Sequence, residues 1–276
     1  MTIGALLALC SAAVWGSGDY FGGRASTRSD PFRVLALAAV SGIAMLVAVA
    51  LIAGESWTMS SGLIWAAVAG VSGSLGIVCL YRGLAIGNAA SVAPVASVVA
   101  AALPIVYGVV VNGAPRAMQL VGFGLALAGI WLVASAAPDQ NGSRRGLWLG
   151  VLAGLGFGGF MILIAQVDVD AVYVPLIAAR TMMLVTAVVT LGARRMALPS
   201  PASNPTALLA GVLDTGGNVL YLLARQHVRL DVAAVLSSLY PVSTVALARL
   251  VGHETVTRMQ WMGALACLIA VLLITA

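Results

Sequence analysis

Three ionisable side chains stand inside long apolar runs of this sequence: Asp19, Arg180 and Asp214. At the centre of a membrane-crossing helix a charge costs roughly 2.5–3.5 kcal/mol, so such groups turn toward a partner or water and away from lipid. Asp214 heads a pattern. Gly211, Asp214, Asn218, Tyr221 and Arg225 recur at spacings of three and four, which lays one polar stripe along one helix face. On a permeation path, Asp214 would bind a cationic group or a proton. In a purely structural role it would pair with Arg180, while Asn218 and Tyr221 satisfied backbone groups. Arg180 suits a substrate carboxylate in bidentate geometry, or equally a pairing with Asp214 or a helix end. Asp19 shares a face with Ala12, Trp15 and Gly22 and is expected about one turn from the interface, where a gating or coupling role competes with helix-end solvation.

Aromatic and hydroxyl side chains surround these charges. Trp15, Tyr20, Tyr81, Tyr107, Phe157 and Tyr240 have the rings to stack on a substrate or hold a cation; aromatics at helix ends are otherwise interface anchors. Tyr81, near a helix end, fits the anchor. Trp15 and Tyr240 lie deeper, beside Gly16 and Pro241, and fit a lining role. Ser237 and Ser238, one turn before Pro241, offer hydroxyls to a substrate or to carbonyls that the proline leaves free. The candidate substrate-binding set is therefore Trp15, Asp19, Phe157, Arg180, Asp214, Asn218, Tyr221, Ser237, Ser238 and Tyr240. No metal site, cofactor or catalytic group is expected. His227 and His253 fall in separate loops, and Cys10, Cys79 and Cys267 sit in apolar runs as small hydrophobes. Gly154-Leu-Gly-Phe-Gly-Gly159 matches a dinucleotide pattern but lies inside an apolar span, where no strand precedes it. P-loop, zinc-protease and serine-nucleophile patterns are absent from the sequence, which points away from ATP-driven work and from an enzyme.

The elements that must position these residues follow from composition. Only 8% of the 276 residues are charged, 61% are hydrophobic, and the mean hydropathy is +1.05. Soluble domains carry about 25% charge to face water, so lipid must cover most of this surface. The net charge of +5 comes from fourteen arginines with no lysine, spread thinly over the loops and forming no basic face, which excludes nucleic acid as a partner. A helix needs about 20 apolar residues to cross the hydrocarbon. Apolar runs predict ten: 3–22, 32–53, 62–82, 90–111, 117–136, 147–165, 172–192, 207–224, 232–251 and 259–275. The first has no basic stretch ahead of it and carries Asp19, so it reads as a span and not as a removable signal.

The longest polar break, 137–145, divides the chain nearly in half. Met118-Gln-Leu-Val-Gly122 recurs as Met259-Gln-Trp-Met-Gly263, opening the last span of each half. The same 141-residue shift puts Gly73 on Asp214, Gly76 on Gly217 and Ser97 on Ser238. The predicted organisation is a repeat over 1–137, a connecting loop over 138–145 and a second repeat over 146–276. Five spans per copy is odd, so the second copy enters the membrane from the opposite side. Inverted repeats are a building plan of secondary transporters, whose substrate site lies at mid-depth between the copies. Glycines in spans one, three, six and eight suit close helix contact, whether for rocking or for static packing.

The duplication, together with Trp15-Gly-Ser-Gly-Asp-Tyr-Phe-Gly-Gly23, Leu80-Tyr-Arg-Gly-Leu-Ala85, Val235-Leu-Ser-Ser-Leu-Tyr-Pro241 and Gly252-His-Glu-Thr-Val-Thr-Arg-Met-Gln260, resembles the EamA-type branch of the drug/metabolite transporter superfamily over almost the whole chain. The resemblance implies an all-α integral membrane fold of ten transmembrane helices, two inverted five-helix repeats around a central cavity lined by helices 1, 3, 4, 6, 8 and 9. One departure stands out. Where the family has Gly-Glu before the last helix of each half, the first half reads Asn112-Gly113 and only Glu254 remains.

Arginines in odd-numbered loops outnumber those in even ones, which places the odd loops in the cytoplasm; the resemblance implies cytoplasmic termini instead. Common to both is that the two termini share a side. The expected function is a secondary transporter, an exporter working by alternating access in the bacterial inner membrane. Its substrate is a small polar metabolite such as an amino acid, or a drug, with protons as a candidate coupling ion and membrane lipid as the surrounding partner. A lipid-carrier flippase is the alternative within the same superfamily; a membrane-embedded enzyme or sensor partner finds less support in loops this short.

Overall fold

The computed structural model describes residues 2–27, 29–55, 62–85, 89–134, 144–167, 172–252 and 257–275. Among them the chain forms α1 (Ile3–Ser26), α2 (Pro31–Ala53), α3 (Gly62–Ala85), α4 (Ala89–Asn112), α5 (Ala117–Ala134), α6 (Arg144–Ile164), α7 (Tyr173–Ala193), a 3-10 turn (Pro201–Ser203), α8 (Pro205–Arg225), α9 (Leu230–Ser237), α10 (Tyr240–Leu250) and α11 (Arg258–Thr275), with no strand. Six helices are long and apolar enough to cross a membrane by length and composition: the full α2, α7, α8 and α11, and the described parts of α3 (62–80) and α4 (95–112). Helix α5, most of α6 and the α9–α10 segment are shorter apolar helices.

Local chemistry sets several of the ends. Asp30 accepts from Phe32 N–H at 2.9 Å with Pro31 in the first helical position, and Gly54 closes α2 in the left-handed region at φ 66°. Asn204 caps α8 from ahead of Pro205, and its amide donates to Ala25 O, fastening the start of α8 to the end of α1. Glu55, just past α2, accepts the N–H groups of Val172, Tyr173 and Val174 at 2.7–3.1 Å and so caps α7 across the bundle. At the other end of the same pair, Arg194 lies 4.5 Å over the Phe32 ring and 3.9 Å from Asp30. Helices α2 and α7 therefore run antiparallel, tied at both ends.

The two halves use the same contacts twice. Gln119 donates to Ile274 O and Gln260 to Val133 O, both at 3.4 Å and both 141 residues apart in register. The recurring Met-Gln motif thus fastens the start of each last helix to the end of the other, and α5 and α11 are antiparallel. Gly70 abuts Ala179 as Gly211 abuts Ala38; Gly217 abuts Trp15 as Gly76 abuts Gly156; Gly122 meets Ile274 as Gly263 meets Val133. At each of these glycines a Cβ would collide with the facing helix, so the absent side chain sets the approach.

The ninth span departs from expectation. The apolar run 232–251 folds as α9 and α10, broken at Ser238–Leu239. Pro241 lacks an N–H and its ring clashes with the carbonyl four residues back, so the helix stops and restarts with proline in its first turn. Helix α4, the counterpart, stays continuous. Helix α1 also runs past the Gly22-Gly23 pair to Ser26, so Asp19 lies two turns from its end, deeper than expected.

Candidate functional site

Exposure along α1 and α8 decides where the charged residues face. On α1 the exposed Ile3, Leu6, Cys10 and Ala13 form one stripe, and Asp19 lies opposite, in line with the buried Ala8 and Ala12. On α8 the exposed Leu209 and Val212 mark the outer stripe, and Asp214 lies opposite, in line with buried Ala207, Gly211, Asn218 and Tyr221. Both carboxylates face the bundle interior. Both are nonetheless accessible: Asp19 is exposed, and the Asp214 side chain is 41% accessible.

Asp214 pairs with Arg180 of α7, whose side chain is only 3% accessible. Arg180 also points a second N–H at Met183 Sδ, 3.7 Å away. The pairing anticipated as the structural alternative does form, and in a lopsided way, with a buried cation holding a half-exposed anion. Asp19 lies within electrostatic reach of both Asp214 and Tyr240. Two carboxylates thus share the region with the Arg180 guanidinium.

The stripe's remaining members hold the frame. Asn218 donates to Asp214 O at 2.9 Å, and Trp15 Nε1 donates to that same carbonyl at 3.1 Å. Trp15 lies over Gly217 and stacks on Tyr221 with centroids 5.8 Å apart. Tyr221, fully buried, donates to Met161 O at 3.0 Å. Ser237 donates to Ala8 O at 3.2 Å and Ser238 lies 3.9 Å from Met161 Sδ, both buried. The Tyr240 hydroxyl is 3.2 Å from Ser97 Oγ of α4. Contacts among α1, α4, α6, α7, α8, α9 and α10 thus engage Trp15, Arg180, Asp214, Asn218, Tyr221, Ser237, Ser238 and Tyr240, with Asp19 in electrostatic reach of Asp214 and Tyr240. The Phe157 ring packs where a Cβ at Gly76 would meet it at 2.8 Å. Tyr81, His253 and Glu254 fall outside the described side chains.

Three participants carry weak sequence signals. Ser97 is marked in the sequence only as the repeat counterpart of Ser238, and Met161 reads as an ordinary apolar span residue. Asp231, fully buried, is held by Arg229 through contacts of 2.9 and 3.2 Å, while Arg229 also donates to Gly113 O at the end of α4. The Arg229–Asp231 spacing was the only hint of that tie. An apolar cleft between α5, α10 and α11 shares no lining residue with the Asp214 group.

Comparisons with known proteins bear on the family and the fold. The profile of the EamA-like transporter family matches the chain twice, over residues 2–135 and 144–276. No curated protein matches it in sequence. One crystal structure, of a protein whose title states no function, superposes with a TM-score of 0.77 at 18% identity over 99% of this chain and 96% of the other, a likeness of fold. With a family profile covering both halves and a duplicated set of helix contacts, the chain belongs to the EamA-like transporter family of the drug/metabolite transporter superfamily.

Proposed function

We propose that this chain is a secondary transporter that exports a small polar metabolite, such as an amino acid, or a drug, by alternating access across the bacterial inner membrane. On this reading Asp19 and Asp214 face the substrate path between the two repeats, which stand inverted in the bilayer. The observation that carries this reading is the pair of inward-facing, accessible carboxylates matched by a single buried guanidinium. An uncompensated negative charge inside a membrane protein is costly, and binding a cation or a proton relieves it. A substrate bearing an amine would meet Asp19 and Asp214, with the Trp15 and Tyr240 rings beside it for cation–π attraction. In a zwitterion the carboxylate would compete with Asp214 for Arg180.

The test is a thermal-shift screen of amino acids, nucleosides and quaternary amines on the detergent-solubilised protein, followed by uptake into proteoliposomes. A ligand at a hundred times its dissociation constant stabilises the folded state by about 2.7 kcal/mol. We expect stabilisation by amine-bearing compounds, and its loss in Asp19→Asn with the fold intact. Uptake that is indifferent to Asp19→Asn and Asp214→Asn at every pH would remove both carboxylates from the mechanism.

A further inference from the structure

We propose that the cleft between α10 and α11 is a site for one anionic phospholipid, with an acyl chain in the groove and the phosphate on Arg249 and Arg258. The cleft has a volume of about 180 Å³. Val242, Ala246 and Arg249 line it from α10 at spacings of four and three, so one helix face forms the wall and ends in a guanidinium. Trp261 and Ala264 line it from α11, and Arg258 lies three residues ahead of Trp261 on the same face. Gln260 and Val133, also in the lining, are tied together, since Gln260 donates to Val133 O and accepts from Thr257 N–H. From Arg249 to Val242 the wall runs about 10 Å along the helix, the reach of part of an acyl chain.

In a membrane protein this outer face meets lipid, and Leu250 and Trp261, 72% and 64% exposed, flank the groove. Arginines at adjoining helix ends stand at headgroup depth, where a planar guanidinium matches a phosphate in bidentate geometry. Substrate chemistry is a poor fit to these walls, since a polar solute would find few partners below the mouth.

The protein would be taken up in mild detergent, mixed with phosphatidylglycerol or phosphatidylcholine, and its retained lipid counted by native mass spectrometry. Each guanidinium should favour the anionic lipid roughly fivefold. Arg249→Gln combined with Arg258→Gln should bring the two lipids level, while Arg116→Gln, just ahead of α5 at the opposite end of the α5–α11 pair, should leave the preference intact. Ala246→Phe fills the groove and should lower retention of both lipids. Should that variant fail to fold, quenching of Trp261 by brominated acyl chains, lost in Trp261→Phe, reads the same contact. Equal retention of the two lipids by the native chain, a preference untouched by the double arginine substitution, or a stable dimer that covers Trp261 would each overturn the proposal.

Discussion

A buried cation paired with a half-exposed anion makes the two partners unequal. Arg180 is 3% accessible and Asp214 41%. Replacing Asp214 by Leu strands a guanidinium in the interior, and breaking a pair this way costs about 3–5 kcal/mol. Replacing Arg180 by Met leaves a carboxylate that water reaches, so the loss should be well below that. Thermal unfolding of the two variants in the same detergent checks the order; equal losses would mean that Asp214 is no more hydrated than Arg180. Trp15 gives a gentler case. Its Nε1 shares the Asp214 carbonyl with Asn218, so Trp15→Phe should cost about 1 kcal/mol while keeping the ring stack on Tyr221.

At the scale of elements, capping is done across the bundle as much as within a helix. Glu55 takes up three N–H groups that α7 itself cannot satisfy, and its negative charge stands at the positive end of the helix dipole. Glu55→Ala should cost about 1–2 kcal/mol. It should also speed hydrogen exchange at Val172, Tyr173 and Val174 while leaving the middle of α7 protected; uniform loss of protection along α7 would instead mean that the cap holds the whole α2–α7 pair. The break between α9 and α10 is a second consequence of local chemistry. Proline cannot donate to Ser237 O, the chain leaves the helix there, and Tyr240 is carried toward Ser97.

Taken whole, the molecule repeats several of its interhelical contacts under a shift of 141 residues, and the counterpart pairs α2–α7 and α5–α11 run antiparallel. The Gln119 and Gln260 bonds join opposite ends of the α5–α11 pair, about 21 Å apart along the axis. Gln119→Leu and Gln260→Leu should therefore cost equal amounts, each about 0.6 kcal/mol. Because the sites share no partner, the double variant should show their sum. A strongly non-additive double variant would mean that the α5–α11 pair moves as one unit when either end is released.

The sequence by itself determined the solvent, the helical class and the duplication. Low charge and long apolar runs admit only backbone-satisfied helices in lipid, and the recurrence of Met-Gln at 118 and 259 sets the register of the two copies. It also singled out Asp19, Arg180 and Asp214, because an ionisable group in an apolar run stands out against its neighbours. Tertiary structure decided the rest. That Asn218 and Tyr221 spend their donors on Asp214 O and Met161 O depends on which helix lies opposite. So does the packing of Phe157 on Gly76, and so do the burial of Asp231 and the bridging role of Glu55, which reads in sequence as one more loop carboxylate. Spacing along a chain reveals which side chains share a helix face; only packing reveals what that face meets, and partners 34 to 229 residues away leave no periodic trace.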